Sequence, residues 1–76
     1  MARRETGSVV SSYPKGFGWI QPDHPSERPI FFHINNVKNR QEPEVGERVE
    51  FVLGIDKSGR REAQDVELGA PAPSLG

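Results

Sequence analysis

A small closed β-barrel of five short antiparallel strands is the fold this sequence predicts. Three observations point there. No segment repeats its apolar residues at the 3.6-residue spacing of an amphipathic helix; β-branched and aromatic residues cluster instead in short runs. Gly and Pro interrupt those runs, with eight Gly and seven Pro in 76 residues. Five strands in so small a domain leave bare sheet edges unless the sheet closes on itself.

The elements follow in order. A polar start over residues 1–5 reads as a flexible N-terminus. The first strand covers 6–13, and Pro14-Lys15-Gly16 turns the chain. The second covers 17–21. Pro22 closes it, and the loop over 23–29 adds Pro25 and Pro29, which cannot donate to a ladder. The third strand covers 30–34. A long polar connection over 35–45 begins with one helical turn. Gly46 opens the fourth strand, 47–54, and a turn at Asp56-Lys57-Ser58-Gly59 leads to the fifth, 61–68. Residues 69–76, rich in Pro, Gly and Ala, sustain neither helix nor ladder and read as a disordered tail. The expected domain is therefore 6–68.

Composition removes several function classes. Hydrophobic residues are 33% of the chain, and no stretch approaches the ~20 apolar residues that span a bilayer. No membrane partner and no signal peptide are expected, and a cytoplasmic monomer is the default. Cys is absent, which removes disulfides, thiolate metal sites and thiol nucleophiles. Ten basic and eleven acidic side chains give a net charge of −1. A polyanion would therefore be held by local charge and stacking rather than by the total.

Alternation along the strands sorts the side chains into two faces. Val49, Phe51 and Leu53 share one face of the fourth strand, and Ile30, Phe32 and Ile34 one face of the third. In the second strand Gly18 and Ile20 share a face. These sets suit the core. Phe17, Trp19, Phe31 and His33 are then left pointing outward from two strands joined by one loop. Flat rings arrayed on a surface, with Lys15 beside them, suit unstacked bases, each stack being worth about 1–3 kcal/mol. Gly16 and Gly18 let a nucleotide or neighbouring backbone approach closely. The same rings would be ordinary core if the tail or the 35–45 connection covered them.

At these residues the sequence resembles the cold-shock domain family, a five-stranded oligonucleotide-binding (OB) barrel. Lys15-Gly16-Phe17-Gly18-Trp19-Ile20 is similar to that family's Lys-Gly-Phe-Gly-Phe-Ile/Val motif. Ile30-Phe31-Phe32-His33-Ile34 is similar to its Val-Phe-Val-His-Phe motif. Thr6-Gly7-Ser8-Val9, Gly46-Glu47-Arg48-Val49-Glu50-Phe51 and Ala63-Gln64-Asp65-Val66 resemble its flanking strands. The Ala63-to-Val66 spacing of three breaks strict alternation, so a bulge is expected there. The resemblance implies stacking roles for Phe17, Trp19, Phe31 and His33, a backbone contact for Lys15, and single-stranded RNA or DNA as partner. It implies an RNA-chaperone or regulatory role, low sequence preference and no catalysis. Asp23 matches an acidic position that meets a base edge in the family; it reads equally as a solvated loop charge. Arg60 and Arg61 either border the groove or neutralise Glu62.

The departures matter. The family's first strand carries Val-Lys-Trp-Phe where this chain has Val9-Val10-Ser11-Ser12. Tyr13 is the one ring left there, and the pattern leaves its side open. Ile34 replaces a further ring. Two lost stacks cost about 2–6 kcal/mol if nothing compensates. No other chemistry competes: His24 and His33 with Asp23 and Glu27 have no recognised metal spacing, no cofactor motif is present, and Ser11 and Ser12 lack a base. Two alternatives remain: a protein-interaction barrel, and one module of a larger RNA-binding protein.

Overall fold

The computed structural model describes residues 4–24 and 27–70. It contains β1 (Arg4–Tyr13), β2 (Phe17–Pro22), β3 (Ile30–His33), β4 (Arg48–Ile55) and β5 (Arg61–Leu68). They close into a barrel in the order β1-β2-β3-β5-β4, with β4 pairing back onto β1. Two short 3₁₀ turns, Ile34–Asn36 and Lys38–Arg40, sit in the connection between β3 and β4. No helix among the described residues is long and apolar enough to cross a membrane.

One seam departs from the expected antiparallel pattern. β3 and β5 run parallel, through Phe31↔Glu62 and Phe32↔Ala63. The reason is parity. Strand directions cannot alternate all the way round a ring of five, so a closed five-stranded barrel needs at least one parallel pair. The chain places it between β3 and β5, while β4 closes onto β1 antiparallel.

The core is small and dry. Val9, Ile20, Ile30, Phe32, Val37, Val49, Phe51, Ala63 and Val66 are each at most 3% exposed. Ile34, Leu53 and Leu68 pack against them. At ~1.5–3 kcal/mol for each large apolar side chain, this burial is the main force holding a chain without disulfides. Val37 enters from the connection and bridges Val66, plugging one end.

Two bulges adjust the faces. Ala63 and Val66 both point inward although three residues apart, because Asp65 takes a left-handed conformation (φ 49°) and the β4–β5 register shifts between Glu50 and Val52. That is the bulge the spacing implied. The second lies in β1, where the register against β2 shifts between Val9 and Ser11. Val9 is in the core and Val10 is exposed. The extra residue reverses the phase of the rest of β1, so Tyr13, opposite Phe17, shares its outward face.

The strand ends differ slightly from expectation. β1 starts at Arg4 because Arg4 and Glu5 pair with Val52 and Phe51. The Arg4 guanidinium also bonds Glu50 and Asp65, joining β1, β4 and β5. The rest of the expected loose start, 1–3, lies outside the described residues. At the other end Gly69 and Ala70 both donate to the Arg48 carbonyl. They belong to the barrel rather than to a tail; residues 71–76 lie outside the described part.

Candidate nucleic-acid interface

β2 and β3 set the interface through their register. Phe17 lies opposite His33, and Trp19 opposite Phe31. Directly opposed residues point to the same side of a sheet. Their partners in alternation, Gly18, Ile20, Ile30 and Phe32, are buried, so this face looks outward. Gly18 is essential to that geometry. A Cβ there would lie 2.3 Å from the Ser11 carbonyl oxygen and 2.7 Å from the Phe32 ring. Its missing side chain thus makes room for neighbouring backbone and for Phe32, on the core side of the sheet. Gly16 (φ +94°) serves the turn, where its carbonyl accepts from Ile34 N–H at 2.7 Å.

The rings touch in sequence. Tyr13 and Phe17 have centroids 5.0 Å apart, tilted by 34°. Phe17 and Phe31 stack at 5.9 Å with planes 26° apart. Trp19 meets Phe31 edge-on at 5.7 Å and 76°. Phe17, Trp19, Phe31 and His33 are partly buried, Tyr13 is 43% exposed, and none joins the core. The β1 bulge thus supplies a ring that the strand's plain alternation would turn inward.

His33 is held by its neighbour. Its Nδ1 accepts from the Asn35 backbone N–H at 3.1 Å, which caps the first 3₁₀ turn. The neutral ring therefore carries its proton on Nε2. Arg60 lies over an inner ring of the series, its guanidinium carbon 4.1 Å from the Phe31 centroid. The β4–β5 turn aims it. Asp56 accepts from Ser58 N–H and Oγ, from Arg60 N–H, and from Arg60 Nε at 3.3 Å. The Ser58 hydroxyl first, then the Arg60 backbone N–H, draw the Asp56 carboxyl down to about 2. Lys15 is exposed in the β1–β2 turn, beside Tyr13 and Phe17 in sequence.

Asp23 is engaged by β1 and β4. Its carboxylate receives a two-pronged contact from Arg48 (Nη1 to Oδ1 2.7 Å, Nη2 to Oδ2 2.5 Å) and accepts from Thr6 Oγ1 at 2.5 Å. Arg48 also donates to Ser8 Oγ. Asp23 is not a solvated loop charge; it is part-buried and ties β2's exit to β1 and β4. The Arg48 hydrogen bonds, opposed by burial and aided by Thr6, hold its carboxyl below the usual range, and the same pairing raises Arg48. Arg61 reaches Glu27 at 2.5 Å rather than Glu62.

The array continues into an open groove of about 560 Å³. Phe31, His33 and Arg60 line it together with Asn35, Asn36 and Glu62. Sequence reasoning missed the last three as site residues. Asn35 and Asn36 follow a site histidine directly, which was the available signal. Glu62 reaches the site only through the parallel seam.

An OB-type barrel carrying rings and cations along one outer face belongs to the class of small nucleic-acid-binding barrels. Residues 5–68 match the family model described as "'Cold-shock' DNA-binding domain". The chain belongs to that family. Among solved structures it is similar to a Drosophila Unr chain described as CSD456, with 27% sequence identity and a TM-score of 0.72. That match covers 97% of this chain and 30% of the Unr chain, so the protein spans less than a third of its solved neighbour. No curated protein sequence matches it.

Proposed function

We propose that the barrel binds single-stranded RNA or DNA with little sequence preference, using the outward rings as a stacking platform. The observation that carries this reading is the unbroken ring series Tyr13–Phe17–Phe31–Trp19, held outside the core by strand register. Bases lie on these rings and on His33. Phosphates lie near Lys15 and the cations of the β4–β5 turn. Bases held unpaired cannot close a hairpin, and that gives the domain an RNA-chaperone or regulatory role, acting as a cytoplasmic monomer. The match to part of a longer Unr chain is equally consistent with one module among several.

A fluorescence titration with an oligopyrimidine tests the proposal. Trp19 emission should be quenched on binding. The double substitution Trp19→Ala, Phe31→Ala should remove binding, read with a labelled strand. Unchanged affinity in that variant, with its β-barrel circular dichroism retained, would overturn the platform.

A further inference from the structure

We infer that Ser58 is a phosphorylation site through which a cation-reading serine kinase releases the bound strand. This inference rests on the stacking platform proposed above. Among the described residues Ser58 is the one aliphatic hydroxyl that is exposed. Thr6, Ser8, Ser11 and Ser12 are half-buried in β1, and Thr6 and Ser8 are committed to Asp23 and Arg48. Ser58 sits in the β4–β5 turn, where residues 57–60 are all exposed and lie outside the strand ladders. Asp56 closes that turn. Its carbonyl accepts from Gly59 N–H, its N–H donates to the Arg60 carbonyl, and its carboxylate accepts from Ser58 and Arg60. Opening the turn into the extended form that a kinase holds therefore leaves the barrel ladders intact. Cations flank the hydroxyl, Lys57 before it and Arg60 and Arg61 after it. An acidic substrate cleft complements that pattern.

In the transfer, Ser58 Oγ attacks the γ-phosphorus of ATP. The Oγ–P bond forms, the bond to the bridging oxygen breaks, ADP leaves, and the hydroxyl proton passes to the kinase's catalytic carboxylate. The new charge falls in the groove, because Ser58, Lys57 and Arg60 line it together with Phe31 and His33. A phosphoserine brings about −1.5 to −2 charge there at pH 7. The unmodified hydroxyl donates to Asp56 Oδ1 at 2.7 Å; esterification removes that donor and sets two anions side by side. Arg60 reaches Asp56 through Nε at 3.3 Å and lies over Phe31, while Lys57 pairs with no carboxylate among the described residues. Both cations stand within two residues of the phosphate and form charge-assisted bonds to it. The groove then has no spare cation for a strand, and a fixed anion shares it with the Phe31 ring.

The test has two arms. In the first, the protein is incubated with ATP and a serine kinase domain selective for cations at positions −1, +2 and +3. Fragment mass spectrometry should find one phosphate, on Ser58, and Ser58→Ala should take none. No phosphate, or phosphate on another hydroxyl, overturns the site. In the second arm the 76-residue chain is made by chemical synthesis with phosphoserine at position 58. Its β-barrel circular dichroism should match the parent. Oligouridine should bind it about 10-fold more weakly than the parent at ~0.1 M salt, with the salt slope shallower by about 0.7 for each cation withdrawn. Phosphatase treatment should restore parent affinity. The gap should narrow as salt is raised, since it is a charge effect. Equal affinity of the two proteins, or a gap that high salt leaves unchanged, overturns the inference and leaves the platform standing. Failure of the unmodified parent to bind any strand overturns the platform itself.

Discussion

The Arg60 guanidinium carbon lies 4.1 Å from the centroid of the Phe31 ring, and the Asp56 carboxylate holds Arg60 from the other side. One face of the central ring is thus occupied before any ligand arrives. An exposed cation–π contact is worth about 0.5–1 kcal/mol, whereas a base stack is worth about 1–3, so a base wins the ring. In the proposed complex the displaced guanidinium sits over the base or at a phosphate. Arg60→Ala should therefore weaken oligopyrimidine binding by about 2- to 5-fold, measured by Trp19 quenching, rather than strengthen it. Tighter binding in the variant would mean that Arg60 only blocks the ring.

Few uncommitted cations border the platform. Arg60 contacts Asp56, Arg61 is paired with Glu27, and Arg48 with Asp23. Exposed Lys15 and Lys57 remain for phosphates. With about two or three phosphates neutralised, log affinity should fall against log salt with a slope near −1.5 to −2. Isothermal titrations across a salt series give that slope directly; a value beyond −4 would require a charge surface that this barrel does not display.

Gly18 predicts a stability effect with no change in ring chemistry. Its absent Cβ is filled by Phe32 and by the Ser11 carbonyl. Gly18→Ala should cost about 1–3 kcal/mol in urea unfolding, as expected for overpacking a tight core. Gly59, whose Cβ would meet nothing within 4 Å, serves as the control: Gly59→Ala should cost less, through its positive φ alone.

The Asp23–Arg48 pair makes stability depend on acid. Asp23 has its folded pKa lowered from 3.8 by the Arg48 hydrogen bonds. A carboxyl lowered on folding stabilises the protein above its unfolded value and loses that contribution as pH falls through the folded value. Asp56 acts in the same direction, between 3.8 and about 2. Asp23→Asn should cost about 1–2 kcal/mol at pH 7. The gap from the parent should close as the pH is lowered from 4 toward 2, as thermal melts across that range will show. A constant gap would place the cost in packing instead of charge.

Most of the barrel was legible because three strands alternate without interruption. Ile20, Ile30, Phe32, Val49 and Phe51 fall inward at the period of two, which leaves Phe17, Trp19, Phe31 and His33 outside. The Ala63-to-Val66 spacing betrayed its bulge because both residues are small and apolar. The β1 bulge was hidden. Val9-Val10-Ser11-Ser12 has no strong inward signal, so the side taken by Tyr13 depends on pairing with β2 rather than on its own strand. The pairing of Asp23 was hidden for a related reason. Its partner Arg48 is distant in sequence, and nothing local marks a loop carboxylate as paired.

The parallel junction of β3 with β5 has two paired positions, Phe31↔Glu62 and Phe32↔Ala63, against four in the β2–β3 hairpin and more in the other two. It is where the cylinder is thinnest, and it runs directly beneath Phe31 and Arg60. A polynucleotide laid across both strands spans this weak stave like a clasp over a gap. Occupancy should therefore slow amide exchange first along that junction, so that gripping a strand and holding the cylinder shut become the same event.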